Sequence, residues 1–367
     1  MEKWIKGMDV SSLKELEELG AVYYDRGKPG DLLDILQAYG CNGIRLRLWN
    51  DPYSEEGVPY GAGTNDLAAT IELAKRVRSR GMDFLLDFHY SDCWADPGKQ
   101  RIPKAWRNLD AGELEQAVYG FTRETLLALR EAQAFPTMVQ VGNELTNGML
   151  WPYGKVPEYE QLARFINAGI RGVRSVDEDI PIMLHLDNGG NNALYREWFD
   201  EFLKRGEAFQ VIGLSYYPFW HGTLADLENN MQDLARRYGK EMIVAEVSTG
   251  HTLEDYQEYE KLPDERRKGM AANAALAARV PYPMTPEGQK AFMEDFMARI
   301  ARIPGVRGFY YWEPAWIPVP GSGWASSEAL EYMEEKGPGG NEWANQALFD
   351  YDGNVLPALA AIRDFRP

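Results

Sequence analysis

Eight short apolar or alternating runs recur along this chain, with helix-patterned stretches between them. They are Trp4–Val10, Gly43–Leu48, Met82–Phe88, Thr137–Val141, Pro181–Leu186, Val211–Ser215, Glu241–Ala245 and Val306–Tyr311. Strands that alternate with helices run parallel, because each helix carries the chain back to the same end. A count of eight predicts closure into an α/β (β/α)₈ barrel, a TIM barrel. Leu67–Arg80 places Leu67, Ile71, Ala74 and Val77 on one helical face. Ala111–Glu131, Pro157–Val176, Leu224–Tyr238 and Pro286–Ile303 show similar periods. Thr64-Asn-Asp66 offers a start signal for the first of these helices, and Gly81 follows its last turn. A doubly wound open sheet competes, but no Gly-rich phosphate turn follows the first strand. With no linker, low-complexity run or short repeat, residues 1–367 are expected to form a single catalytic domain with extended loops after the strands.

Charge narrows the ligand. The 39 Lys and Arg against 56 Asp and Glu leave a formal −17, a surface that repels nucleic acid and anionic membranes and suits a neutral substrate. No apolar run approaches the ~18 residues of a membrane span. Met1-Glu-Lys-Trp-Ile-Lys6 has no apolar signal region, so a cytoplasmic protein is expected, or a secreted one if a signal was removed. Cys41 and Cys93 are the only cysteines and are read as free thiols. A monomer is expected.

The strand ends carry the chemistry. Val139-Gln-Val-Gly-Asn-Glu144 and Ile243-Val-Ala-Glu246 each run an apolar segment into a glutamate. On one barrel, Glu144 and Glu246 would meet at the same rim. Two opposed carboxyls suit cleavage of a glycosidic bond, which needs a proton donor and a nucleophile or base. Other strand ends add Arg45 and Arg47, Asp87 and His89, His185 and Asp187, Tyr216 to His221, and Tyr311-Trp-Glu313. Of eleven tryptophans, Trp49, Trp94, Trp106, Trp151, Trp220, Trp312, Trp316, Trp324 and Trp343 lie at or after strand ends. Indole faces match the C–H faces of pyranose rings, so a Trp-rich rim suits a sugar polymer, although loop packing also uses Trp. His89, His185, His221 and Asp187 are the alternative, a metal site, but the first strand lacks H-x-H and no helix carries H-E-x-x-H. No G-x-S-x-G elbow is present.

At this point the residues resemble the family-53 glycoside hydrolases, endo-β-1,4-galactanases, over nearly the whole chain. The resemblance is carried by Lys6-Gly-Met-Asp-Val-Ser-Ser12, Ile44-Arg-Leu-Arg-Leu-Trp-Asn-Asp-Pro52, Asp87-Phe-His-Tyr-Ser-Asp92 and Trp94-Ala-Asp-Pro97. It continues in Val141-Gly-Asn-Glu-Leu-Thr-Asn-Gly148, Ser215-Tyr-Tyr-Pro-Phe-Trp-His-Gly222, Tyr311-Trp-Glu-Pro-Ala-Trp316 and Trp343-Ala-Asn-Gln-Ala-Leu-Phe-Asp350. It implies a retaining mechanism with Glu144 as general acid/base and Glu246 as nucleophile, and β-1,4-galactan or galactooligosaccharides as substrate. It further implies that Asn143 meets the sugar 2-hydroxyl, that Arg45 or Arg47 and Tyr216 or Tyr217 orient Glu246, and that His89 and Trp312 form a sugar floor. Trp94 and Trp220 become ring-stacking candidates. No cofactor is required for catalysis by this reading. A related barrel β-glycosidase acting on mannan or glucan, or a non-catalytic sugar-binding barrel, remain the alternatives. Two departures stand out. The Asp-Gly-Asp-Gly-His-x-Asn run that helps many bacterial members bind calcium is missing; Thr252-Leu-Glu-Asp255 leads instead into a charged, helix-like insertion through Ala278, so no calcium ligands are assigned. Val-Ser-Thr-Gly250 follows Glu246, where the family often has an aromatic residue.

Overall fold

The alternation closes on itself. The computed structural model describes residues 4–256 and 270–367. Its central strands are β1 (Ile5–Asp9), β2 (Gly43–Leu48), β3 (Asp83–Phe88) and β4 (Met138–Val141). They continue as β5 (Ile182–Leu186), β6 (Val211–Tyr216), β7 (Glu241–Val247) and β8 (Val306–Trp312). Each pairs in parallel with its sequence neighbour, and β1 pairs with both β2 and β8 to complete a closed (β/α)₈ barrel. Every expected strand is present, with ends shifted by a residue or two.

The outer helices are α1 (Leu32–Ala38), α2 (Leu67–Ser79), α3 (Ala111–Glu131), α4 (Tyr159–Arg174), α5 (Asn192–Phe202), α6 (Leu224–Tyr238), α7 (Pro286–Ile300) and α8 (Pro357–Asp364). Five were expected. The other three, α1, α5 and α8, are short, and runs of seven to eleven residues give periodicity little to repeat over. Asp66 caps α2 by accepting the Ala69 N–H, while α3 and α6 open on capping boxes, Asp110/Glu113 and Thr223/Asp226. The buried stripe of α2 is Thr70, Leu73, Ala74 and Val77, with Leu67 and Ile71 at its edge, slightly rotated from the expected face. Burying a side chain such as Leu73 or Val77 contributes about 1.5–3 kcal/mol. That contact holds a 13-residue helix that would be marginal alone.

Inside the barrel the side chains stack in two layers. The lower layer is apolar: Leu85, Met183, Val211, Ile243, Ala245 and Tyr310 form one buried cluster, with Ile5 and Met138 against it. Two residues further along the strands, alternation places Asp87 after Leu85, Gln140 after Met138 and His185 after Met183. These three, with Asp9, Arg45 and Ser215, make a fully buried polar layer at the C-terminal end. Glycine admits the large lower residues. A Cβ at Gly7 would sit 2.2 Å from the Tyr310 ring, and one at Gly213 would sit 2.6 Å from Met183 Sδ.

Alternation alone would turn Glu246 outward, because Ile243 and Ala245 already face the interior. The ladder breaks there. Between β6 and β7 the register shifts after Leu214, so Ser215 lies opposite Glu246, and between β7 and β8 it shifts between Val244 and Val247. The irregularity re-aims Glu246 inward. Of the expected insertion through Ala278, residues 257–269 lie outside the described residues; Ala274–Ala277 form one helical turn. No helix among the described residues is long and apolar enough to cross a membrane. Cys41 and Cys93 are buried free thiols, and burial pushes the Cys93 thiol up to about 12.

Candidate active site

Arg45 organises the polar layer. Its guanidinium has five N–H groups, and each finds an acceptor. Nη1 donates to Asp9 Oδ2 (2.8 Å) and Glu246 Oε1 (2.9 Å), Nη2 to Asp87 Oδ2 (2.8 Å) and Asn143 Oδ1 (2.9 Å), and Nε to Gln140 Oε1 (3.2 Å). Three carboxylates thus share one buried cation. A buried charge of this kind is tolerable only because it is fully paired.

Glu246 is 5% exposed, and both its oxygens are held. Its Oε1 accepts from Arg45, and its Oε2 accepts from the Tyr217 hydroxyl at 2.7 Å. Burial raises its pKa, while the Arg45 charge and the Tyr217 donor oppose that rise. Glu144, 8% exposed, is poised differently. It sits just beyond β4 in the left-handed region (φ 44°), a conformation that costs a non-glycine residue roughly 1–2 kcal/mol. Gln100 Nε2 braces the turn by donating to the Asn143 carbonyl at 2.8 Å. Glu144 Oε1 accepts from Ser215 Oγ at 2.7 Å. Burial, then the Glu246 and Asp187 charges, hold its pKa well above the carboxylate range. Two carboxyls in one pocket therefore differ in proton affinity, Glu144 being raised the more strongly. A carboxylate oxygen of each lies within 4.8 Å of one on the other.

A cleft of about 580 Å³ opens over this pair. Its floor is aromatic. Trp94 donates Nε1–H to the Trp324 carbonyl (2.7 Å), and Trp312 meets Trp343 edge to face at 4.7 Å. Arg47 lies 4.5 Å from the Trp94 ring centre. Its Nη1 donates to Glu313 at 2.5 Å rather than to Glu246, so Arg45 alone orients the latter carboxylate from β2. Burial pushes the Glu313 carboxyl up to about 7, with Arg47 pulling the other way. His89 accepts at Nδ1 from Trp49 Nε1 and the Ala95 N–H, which places its proton on Nε2 facing Asp87 Oδ2 at 3.1 Å.

Arg47, His89, Trp94, Asn143, Glu144, Tyr217, Trp220, Glu246 and Trp312 line the cleft, as expected from the strand ends. Arg45 lies directly beneath. Tyr216 does not belong there. It alternates outward from Ser215, stacks near Phe292 and Phe296 of α7, and donates its hydroxyl to the Gly222 carbonyl at 3.0 Å. Of the nine expected tryptophans, Trp94, Trp220, Trp312, Trp316, Trp324 and Trp343 reach the cleft. Trp49 lies beneath it, Trp106 packs on Phe121 of α3, and Trp151 bonds back to the Asn147 carbonyl. Gln140, Ser215 and Asp9 went unread in the sequence because a single polar residue inside a strand carries no spacing signal.

His89, His185, His221 and Asp187 do not converge as a metal-ligand set. Among the described residues the group that does converge is Glu144, His185 and Glu246. There both His185 nitrogens and both Glu246 oxygens already lie in hydrogen bonds. Between the loops after β7 and β8, the described residues gather no three carboxylate or imidazole ligands for calcium. Asn345 instead spans them, donating to the Thr252 (3.0 Å) and Ala272 (2.8 Å) carbonyls.

Known proteins share this plan. A family model described as glycosyl hydrolase family 53 matches residues 5–362. The endo-beta-1,4-galactanase of Bacillus subtilis (strain 168) is 38% identical, covering 97% of this chain and 84% of its own length. The arabinogalactan endo-beta-1,4-galactanase of Cellvibrio japonicus (strain Ueda107) is 32% identical, covering 96% and 89%. The solved GH53 catalytic domain of Ignisphaera aggregans superposes with a TM-score of 0.90 at 40% identity, covering 98% of this chain and 96% of that one. The match runs through all eight strands and every loop that builds the cleft, and this chain belongs to glycosyl hydrolase family 53.

Proposed function

We propose that this protein is an endo-β-1,4-galactanase, cleaving β-1,4-galactosidic bonds in galactan, arabinogalactan or galactooligosaccharides with retention of configuration. One observation carries the mechanism: the carboxylate oxygens of Glu144 and Glu246 approach within 4.8 Å. Retaining enzymes hold their carboxyls about 5–5.5 Å apart, whereas inverting ones need ~6.5–9.5 Å to admit a water between carboxyl and sugar.

In the first step Glu246 attacks the anomeric carbon while Glu144 gives its proton to the departing glycosidic oxygen. Forming the ester removes the Glu246 charge, which is what helped to raise the Glu144 pKa. Glu144 then becomes the base that takes a proton from the attacking water, and the cycle closes. Asn143 uses one amide hydrogen on the Ala95 carbonyl (2.8 Å) and has Arg45 on its Oδ1, so its second amide hydrogen is free for the sugar 2-hydroxyl. The exposed face of Trp220 and the Trp94–Trp312 floor suit stacking against successive sugar rings. The two carboxyls supply acid and nucleophile, so bond cleavage needs no metal. The galactan preference is supported by the names of the relatives and by a cleft with Asp187, Glu335 and Glu342 on its walls, which disfavours acidic polymers.

A substrate panel tests this reading. Galactan should release reducing ends, with mannan, xylan, β-glucan and polygalacturonate inert. Activity confined to any of the others would sink the galactan assignment.

A further inference from the structure

Glu144 has two oxygens, and only one can face the glycosidic bond with a proton. The other must be held. Ser215 on β6 is fully buried, and its Oγ lies 2.7 Å from Glu144 Oε1 and 2.8 Å from His185 Nε2. The hydroxyl has a single hydrogen, so which way it points depends on the His185 tautomer.

The surroundings settle that tautomer. Burial and the Arg45 charge hold the His185 pKa well below 6.5, so the ring is neutral and carries one N–H. Its Nδ1 meets Gln140 Nε2 at 3.1 Å and Asn143 Oδ1 at 2.9 Å. Asn143 Oδ1 already has Arg45 Nη2 at 2.9 Å and Gln140 Nε2 at 3.0 Å for its two lone pairs. Gln140 Nε2 also lies 3.0 Å from the Gly142 carbonyl, which makes three acceptors for its two hydrogens. The tautomer therefore follows from the other side of the ring: an ionised Glu144 Oε1 accepts the single Ser215 hydrogen, so Nε2 carries the proton donated to Ser215 Oγ. Ser215 then gives its own hydrogen to Glu144 Oε1. The reverse tautomer would turn the Ser215 hydrogen towards His185 and leave oxygen lone pairs facing each other across 2.7 Å whenever Glu144 is ionised. The register shift that turns Glu246 inward also sets Ser215 opposite it, so one irregularity aims both groups.

We propose that Ser215 and His185 are positioning residues that hold Glu144 Oε1 as an acceptor and so fix Oε2 as the oxygen that gives and takes the catalytic proton. The inference rests on the acid/base reading of Glu144 above. In the first step the Oε2–H bond breaks and its proton joins the leaving oxygen. In the second, a proton from water returns to Oε2. The Ser215 and His185 protons stay where they are. Other groups also act on Glu144: Glu246 and Tyr217 across the pocket, Asp187 after β5 and Asp96 after β3. The Ser215 donor favours the carboxylate form. Removing it therefore raises the Glu144 pKa and carries the basic limb of the rate profile upward.

The test uses Ser215→Ala, Ser215→Thr, His185→Gln and Glu144→Gln in the full chain. Each is assayed for kcat/KM against pH on aryl β-galactosides with good and poor leaving groups. Ser215→Ala should lose about 10- to 100-fold on poor leaving groups, little on good ones, and shift its basic limb to higher pH. His185→Gln should move the limb the same way by less, and Ser215→Thr, keeping the hydroxyl, should restore it. An unmoved limb with equal losses on both leaving groups, in Ser215→Ala or in His185→Gln should the first not fold, overturns the proposal. If Glu144→Gln itself shows no leaving-group dependence, the acid/base reading fails instead.

Discussion

At the scale of single residues, the site is a division of labour between two carboxyls that differ only in their neighbours. Glu246 has a cation and a hydroxyl donor to set against Asp9 and Asp87; Glu144 has one hydroxyl donor against three carboxylates, Glu246, Asp187 and Asp96. Glu246→Ala should lower turnover by about 10⁴-fold or more, with added azide restoring it on an activated substrate by taking the nucleophile's place. Wild-type-like turnover in that variant would reject the role. Glu313 makes a second prediction. Its folded-state carboxyl, near 7, binds a proton more tightly than the unfolded side chain near 4.5. Its contribution to stability is complete below about 4.5 and is lost as pH rises through 7. The urea midpoint of the wild type, measured relative to Glu313→Gln, should fall between those pH values. A wild-type midpoint that holds constant or rises relative to the variant would contradict this. The two glutamates were legible in the sequence because each ends an apolar run. Tyr216 and Tyr217 were not separable there, since adjacent residues differ only in which side of the strand they take.

At the scale of elements, strands were easier to read than their irregularities. Eight apolar runs gave eight strands within a residue or two. The register shifts beside Glu246 left no mark, because an extra residue in a ladder changes pairing without changing composition. The helices α1 and α8 escaped because seven or eight residues span barely two turns. Glycines inside strands do have a readable cost. Gly7→Ala would drive a Cβ to 2.2 Å from a rigid Tyr310 ring, an overpacking worth about 1–3 kcal/mol. Urea denaturation should show that loss, and the double variant Gly7→Ala/Tyr310→Leu should recover part of it. Additive losses would mean the two do not meet.

At the scale of the whole molecule, a layered barrel explains why the chemistry sits at one end. Apolar side chains fill the lower interior, and the Arg45 network seals it from above, so the carboxyls rest on a densely hydrogen-bonded floor. The Trp-rich rim was legible as a direction, since strand ends face one way, but three of nine tryptophans serve packing instead, and only contacts separate the two uses. The central claim is that Glu144 and Glu246 act as a retaining pair on galactan. Anomeric proton NMR during the first minutes of galactan digestion tests it most directly. The account predicts that new reducing ends appear first as the β-anomer, on oligosaccharides of mixed length, with the α-anomer growing in later by mutarotation. Early appearance of the α-anomer would mean inversion and would contradict it.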